Sequence, residues 1–109
     1  MLSVLIPVYN YHVAKLVSEI HKQLCKEKIA FEIIAFDDGS EIKYKQHNET
    51  INQLSNTKLK SSLENIGRIA SRAALAEAAN FDWLLFLDAD VFPKSSKFIA
   101  SYLNVINKD

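Results

Sequence analysis

Cysteine is almost absent: Cys25 is the only one in 109 residues, which excludes an intramolecular disulfide framework and any metal site built from several thiolates. Glycine and proline are equally scarce, two of each, which is not the composition of a disordered or collagen-like chain. Net charge is absent too. Thirteen Lys and Arg balance thirteen Asp and Glu, so no global field draws the chain to nucleic acid or to an anionic membrane, and any anion must be held locally. No nucleic-acid partner is expected. Nor does any apolar run approach the ~20 residues of a membrane span, and Met1-Leu2-Ser3 opens the chain without a basic leader. A cytoplasmic location is the expectation. What the chain does have is a hydrophobic fraction of 49 %, enough to pack a core at one domain's worth of length.

The apolar residues are arranged with two periods. Leu2–Val8 (LSVLIPV) is a short run too brief for a helix and rich in β-branched residues, a buried strand. From Val13 the apolar positions fall at Val13, Leu16, Val17, Ile20 and Leu24 with polar residues between them, which predicts an amphipathic helix capped by Asn10. Phe31–Phe36 (FEIIAF) is a second strand that stops at the turn-forming Asp37-Asp38-Gly39-Ser40. Residues 41–56 are polar without a period. Thr57–Ser62 is a short third strand whose Lys58 and Lys60 suit a sheet edge.

Ile66–Ala79 (IGRIASRAALAEAA) predicts a helix presenting Ile66, Ile69, Ala70, Ala73 and Ala76 to a sheet. Phe81–Leu87 is a fourth strand, with Trp83 assigned to the core, and it runs directly into Asp88-Ala89-Asp90. Ser95 or Ser96 caps a last helix with Phe98, Ile99, Tyr102, Leu103 and Ile106 on its apolar face. Cys25 is expected as a partly buried small hydrophobe. His12, His21 and His47 do not cluster in the sequence and are expected at the surface.

Strands alternating with helices imply an α/β fold, a Rossmann-like open parallel sheet with helices on both faces, and residues 1–109 are read as a single domain. Right-handed crossovers bring the carboxyl ends of the strands to one edge, where such sheets bind ligands. That edge collects Tyr9-Asn10, Asp37-Asp38 and Asp88-Asp90. Each loop alone is more often a solvated turn than a site. Together, carboxylates gathered without nearby cations repel one another, and a hard divalent ion, Mn²⁺ or Mg²⁺, would relieve that repulsion while taking its remaining oxygens from water and a diphosphate.

The segments SVLIPVYN (3–10), DDGS (37–40), ENIGRIASR (64–72) and LDAD (87–90), in this order and on these strand ends, resemble the inverting glycosyltransferases of family 2, which have the GT-A fold. The resemblance implies that this chain is the N-terminal, donor-binding half of such an enzyme. Carried over by position, it places Pro7, Val8 and Tyr9 against the nucleotide base and Asp37 or Asp38 on the uracil ring. It puts Asn65, Gly67 and Arg68 near base and phosphates, Asp88 on ribose or metal, and Asp90 as the direct Mn²⁺ or Mg²⁺ ligand. The donor implied is a nucleotide-diphosphate sugar, UDP-sugar first, with GDP and dTDP open. The acceptor is a glycan or lipid-linked molecule, with polysaccharide and cell-envelope synthesis as the setting and the inner face of a membrane as a place the full enzyme could sit.

Two departures from the family pattern bear on the reading. Ala73 stands where the family commonly has Asn after its arginine. No residue matches the acidic general base of the acceptor-binding half, so the chain is expected to be shortened at its C-terminus, to lack transfer activity by itself, and to self-associate through an uncovered apolar flank. A sugar nucleotidyltransferase is the alternative enzyme, but PVYNYH lacks the Gly-rich, Arg-containing loop such enzymes carry after their first strand. A non-catalytic module such as a receiver domain brings its acid pair after the first strand, and here it follows the second. Arg72, one turn beyond Arg68, is assigned to structure rather than to the site.

Overall fold

The structure is a computed structural model and describes residues 1–107. In chain order it contains β1 (Leu2–Val8), α1 (Ala14–Lys26), β2 (Phe31–Asp38), α2 (Ile42–Asn48), a 3₁₀ turn (Glu49–Gln53), β3 (Thr57–Ser62), α3 (Arg68–Ala78), β4 (Trp83–Phe86) and α4 (Phe98–Asn107). The four strands form one sheet in the order β3-β2-β1-β4, and all of its pairings are parallel. The doubly covered α/β architecture is the one the alternation of periods implies.

Strand alternation sorts the core into two layers. Leu2, Val4, Ile6 and Val8 of β1, with Phe31, Ile33 and Ala35 of β2, pack against α1 and α4 on one face of the sheet. Leu5, Ile34 and Phe36 meet Leu75 of α3 on the other. The two central strands are buried almost throughout. Each fully buried aliphatic side chain there contributes about 1.5–3 kcal/mol of transfer free energy. The stripe predicted for α1 is the one buried, with Leu16, Val17, Ile20 and Leu24 inside.

Polar side chains join the layers. Gln23, buried in α1, donates from Nε2 to the Ser95 carbonyl and accepts the Ile99 N–H at Oε1. It thereby satisfies one of the free amides at the start of α4. Asn48, the buried residue of α2, accepts the Val13 N–H at 2.8 Å and donates to the Tyr11 carbonyl at 2.7 Å. It holds the loop between β1 and α1 in place.

The structure departs from the sequence-based expectations at several points. Asn10 does not cap α1, whose N-cap is Val13. It sits at φ 48°, taking the Glu41 N–H on Oδ1 and donating its own N–H to Ser40 Oγ. Residues 42–53 are helical although their sequence shows no period, because α2 is held by Asn48 and by the buried Ile51 rather than by an apolar stripe. β2 runs on through Asp37 and Asp38 instead of turning at them.

The largest difference lies in α3. Ile66, Ile69, Ala70, Ala73 and Ala76 are all exposed, whereas Ser71 and Leu75 are buried, with Ala74 and Ala78 packed beside them. The two faces are offset by two positions, about 200° round a helix of 3.6 residues per turn. Alanine fits either face, so composition does not choose between them. β4 is an edge strand and Trp83 is 44 % exposed rather than core. Cys25 is exposed as well, its sulfur 3.7 Å from His21 Nδ1. His12 and His47, distant in sequence, place their rings 4.5 Å apart.

Candidate functional site

The carboxyl ends of β1, β2 and β4 and the N-terminus of α3 enclose a cleft of about 370 Å³. Pro7, Val8 and Tyr9 form its wall at the end of β1, Asp38 stands at the end of β2, and Asn65, Gly67 and Arg68 lead into α3. Asp88 and Asp90 follow β4 on the rim. Nine of the ten residues singled out from the sequence therefore line one cavity, although they lie up to 83 positions apart, from Pro7 to Asp90. The geometry is a consequence of parallel strands with right-handed crossovers, which deliver every strand's carboxyl end to the same edge.

The exception is Asp37. Because β2 continues through both acids, its period of two points them to opposite faces. Asp38 emerges on the α3 side with Ile34 and Phe36, into the cleft. Asp37 follows Ile33 and Ala35 to the α1 side, where it is fully buried and does not line the cavity. Its Oδ1 accepts the Ser40 N–H at 2.8 Å, and its Oδ2 has no partner among the described residues.

Asp38 organises the loop before α3. Its Oδ1 accepts the Ile66 N–H at 2.6 Å, its Oδ2 accepts the Gly67 N–H at 3.1 Å, and its carbonyl takes the Asn65 side-chain amide at 3.1 Å. The carboxylate thus satisfies amides just ahead of the helix start and places negative charge at its positive end. This grip fixes the two residues that lead into α3. Two glycines make the approach feasible. Gly39, at φ +69°, lies so close to the Glu64–Asn65 backbone that a Cβ would come within 2.5 Å of the Asn65 nitrogen. Gly67 adopts φ 93°, ψ 163°, a region essentially closed to other residues.

Polarity changes along the cleft. Val8, Asp38 and Ser71 are deeply buried, while the side chains of Arg68 and Asp88 are 76 % and 53 % exposed and lie 3.6 Å apart at the mouth. A pair this exposed is worth about 0–1 kcal/mol, so either partner is easily given up to a ligand. Arg72 does not line the cleft. Its guanidinium lies over the Phe86 ring, 4.2 Å from the centroid, which ties α3 to β4 and agrees with a structural role. Ser71 is the lining residue that pattern reading missed. The available signal was its spacing of four from Leu75, the apolar residue that α3 does bury.

The donor set at the rim suits a hard divalent cation. Asp88 and Asp90 supply carboxylate oxygens only, and the described residues contain no group of three or more His, Cys, Asp or Glu able to enclose an ion. A cation bound there would complete its shell with water and phosphate oxygens, which is the habit of Mg²⁺ and Mn²⁺ rather than of structural zinc. Among the described residues no helix is long and apolar enough to cross a membrane.

Comparison with known proteins places this geometry. No curated protein sequence matches the chain significantly. Among solved structures, S. aureus TarS 1-349 in complex with UDP superposes with a TM-score of 0.73 at 24 % identity, over 98 % of this chain and 32 % of that one. Its complex with UDP-GlcNAc gives 0.74 at 24 % identity, covering 98 % of this chain and 31 % of that one. The mannosyltransferase PcManGT from Pyrobaculum calidifontis, in complex with GDP-Man and Mn2+, gives 0.69 at 18 % identity over 94 % of this chain and 31 % of the enzyme. The chain spans about a third of the length of these structures, and at such identities the likeness establishes the fold. The sequence goes further: the profile of Glycosyl transferase family 2 matches residues 3–109, and the chain belongs to that family.

Proposed function

We propose that the cleft holds the nucleotide-sugar donor of a metal-dependent, inverting glycosyltransferase, with a UDP-sugar as the first choice. The carrying observation is the convergence of three strand ends on one cavity that is deep and sheltered at one end, where backbone amides take up the Asp38 carboxylate, and open at the other, where Arg68 meets Asp88. A nucleobase suits the deep end between Pro7, Val8 and the start of α3. A diphosphate suits the mouth, where Arg68 can leave Asp88 for a phosphate. Support for uridine and guanosine donors comes from the complexes of the structural neighbours with UDP, UDP-GlcNAc and GDP-Man. The acceptor class we retain is a glycan or lipid-linked hydroxyl.

Asp90, with Asp88, is assigned to the divalent cation. When bound, that ion would stabilise negative charge on the departing nucleoside diphosphate. The remaining steps belong to side chains: Asp38 orders the loop under the base, Arg68 neutralises phosphate, and Tyr9 flanks the entrance. Inversion also requires a base to take the acceptor's proton, typically worth 10²–10⁴-fold. Asp38 is occupied by two backbone amides, Asp37 lies outside the cleft, and Asp88 and Asp90 are assigned to the cation. These 109 residues are accordingly expected to bind a donor without transferring its sugar.

Calorimetry with UDP, with and without Mn²⁺, tests the assignment. Binding should tighten with the ion, and Asp90→Ala should erase that gain while leaving the ligand-free melting temperature unchanged or higher, since a repelling carboxylate is removed. Equal affinity with and without metal would defeat the cation site. Metal-dependent sugar transfer by this chain, lost in Asp90→Ala, would show that one of the carboxylates has been given the wrong task.

A further inference from the structure

We infer that His12 and His47 form a metal site outside the cleft, in which the two imidazoles share one divalent transition ion of the Ni²⁺, Cu²⁺ and Zn²⁺ class. His12 belongs to the loop between β1 and α1, and His47 to α2. Both residues are exposed, and their ring centroids lie 4.5 Å apart with the planes inclined at 75°. What holds two exposed rings together is the backbone beneath them. Asn48, the residue after His47, is fully buried, accepts the Val13 N–H at 2.8 Å and donates to the Tyr11 carbonyl at 2.7 Å. The residues on both sides of His12 are thus fastened to the neighbour of His47. Asn10 joins the same two segments again, donating its N–H to Ser40 Oγ and accepting the Glu41 N–H. Tyr44, one turn before His47, also packs on the His12 ring, at a centroid distance of 4.9 Å.

Such preorganisation lowers the ordering cost of bringing two ligands to one ion. With metal–nitrogen bonds of about 2.0–2.1 Å, two rings on one ion have centroids roughly 4.5–5.2 Å apart for coordination angles between about 90° and 110°. The observed separation meets the lower bound, so rotation about exposed side-chain bonds is enough to turn one nitrogen of each ring onto a common point. Neutral imidazole suits Ni²⁺, Cu²⁺ and Zn²⁺, whereas Mg²⁺ and Mn²⁺ favour oxygen donors such as those of Asp88 and Asp90. Water fills the remaining positions, since the described residues contain no group of three or more His, Cys, Asp or Glu. Lys43 lies 5.1 Å from the Tyr44 ring, but its charge is balanced by Glu41 at 3.9 Å. A bound ion would clip to α2 the loop that begins at Tyr9.

The test is calorimetry of the nucleotide-free chain with Ni²⁺ in excess Mg²⁺, in a Cys25→Ser background that removes the thiol beside His21. Stoichiometric binding is expected, and either His12→Gln or His47→Gln should abolish it, because both rings serve one ion. Zn²⁺ should raise the melting temperature of the Cys25→Ser chain and of neither histidine variant. Proton NMR of the unmodified chain gives a reading that needs no substitution. Ni²⁺ added below stoichiometry should broaden the ring signals of His12 and His47 together and leave that of His21 sharp. Nickel binding that survives both substitutions, displacement of Ni²⁺ by Mg²⁺, or broadening of His21 ahead of the pair would overturn the inference. If either variant unfolds, the NMR result decides. No nucleotide enters these measurements, so their failure leaves the donor-binding reading standing.

Discussion

Replacing Asp38 by Asn separates the structural work of this carboxylate from that of its neighbour. Asp38 presents two acceptor oxygens to two backbone donors, at 2.6 Å to Ile66 and 3.1 Å to Gly67. An amide of the same shape can satisfy one and must turn an NH₂ toward the other. One charge-assisted bond is lost, about 1.5–3 kcal/mol, and the surviving bond falls to neutral strength, roughly half its former value. A net loss of about 3 kcal/mol corresponds to a melting-temperature drop of at least about 10 °C for a domain of this size. Asp37→Asn makes the same chemical change one residue away with a different outcome. Its Oδ1 keeps the Ser40 N–H, and Oδ2 faces no donor, so the loss should stay below about 1 kcal/mol. Thermal unfolding of both variants without ligand, with amide exchange followed at positions 66 and 67, reads the difference. Equal losses, or unchanged protection of the two amides in Asp38→Asn, would refute the idea that Asp38 anchors the start of α3.

Gly39→Ala should cost more than Gly67→Ala in urea denaturation, since the first adds a collision with the Glu64–Asn65 backbone to an unfavourable φ and the second meets open space. We expect at least about 2 kcal/mol for Gly39 and about 1–3 kcal/mol of strain alone for Gly67; the reverse order would contradict the close approach of the two loops. At the opposite end of the sheet, burial pushes the Glu32 carboxyl up, but the Ser3 hydroxyl, the Asn80 backbone and side-chain amides and the Lys58 charge outweigh it and hold its pKa below the ordinary glutamate value of 4.5. A depressed folded pKa gives stability that is complete above the unfolded value and is lost as pH falls through the folded one. The stability difference between the chain and Glu32→Gln should therefore be constant near neutrality and shrink below about pH 4.5; a difference independent of pH there would contradict the assignment.

Much of this was legible in the sequence, for identifiable physical reasons. Short β-branched runs such as LSVLIPV and FEIIAF have few ways to hide from water, and helix-spaced residues such as Leu16, Ile20 and Leu24 can bury only one stripe, so β1, β2 and α1 follow from pattern. The alternation of periods requires parallel strands, and parallel strands bring Tyr9, Asp38 and Asp88 to one edge. Pattern stops where several faces are equally apolar or where a polar contact decides. The alanines of α3 permit two rotations, and only the packed structure shows that Leu75 is the residue buried, with Asp38 holding the Ile66 and Gly67 amides ahead of the helix. α2 has no stripe to detect because the buried amide of Asn48 holds it. Asp37 and Asp38 are indistinguishable as letters. Only the extension of β2 through both of them, with its alternation of faces, sends one carboxylate into the cleft and the other beneath the sheet.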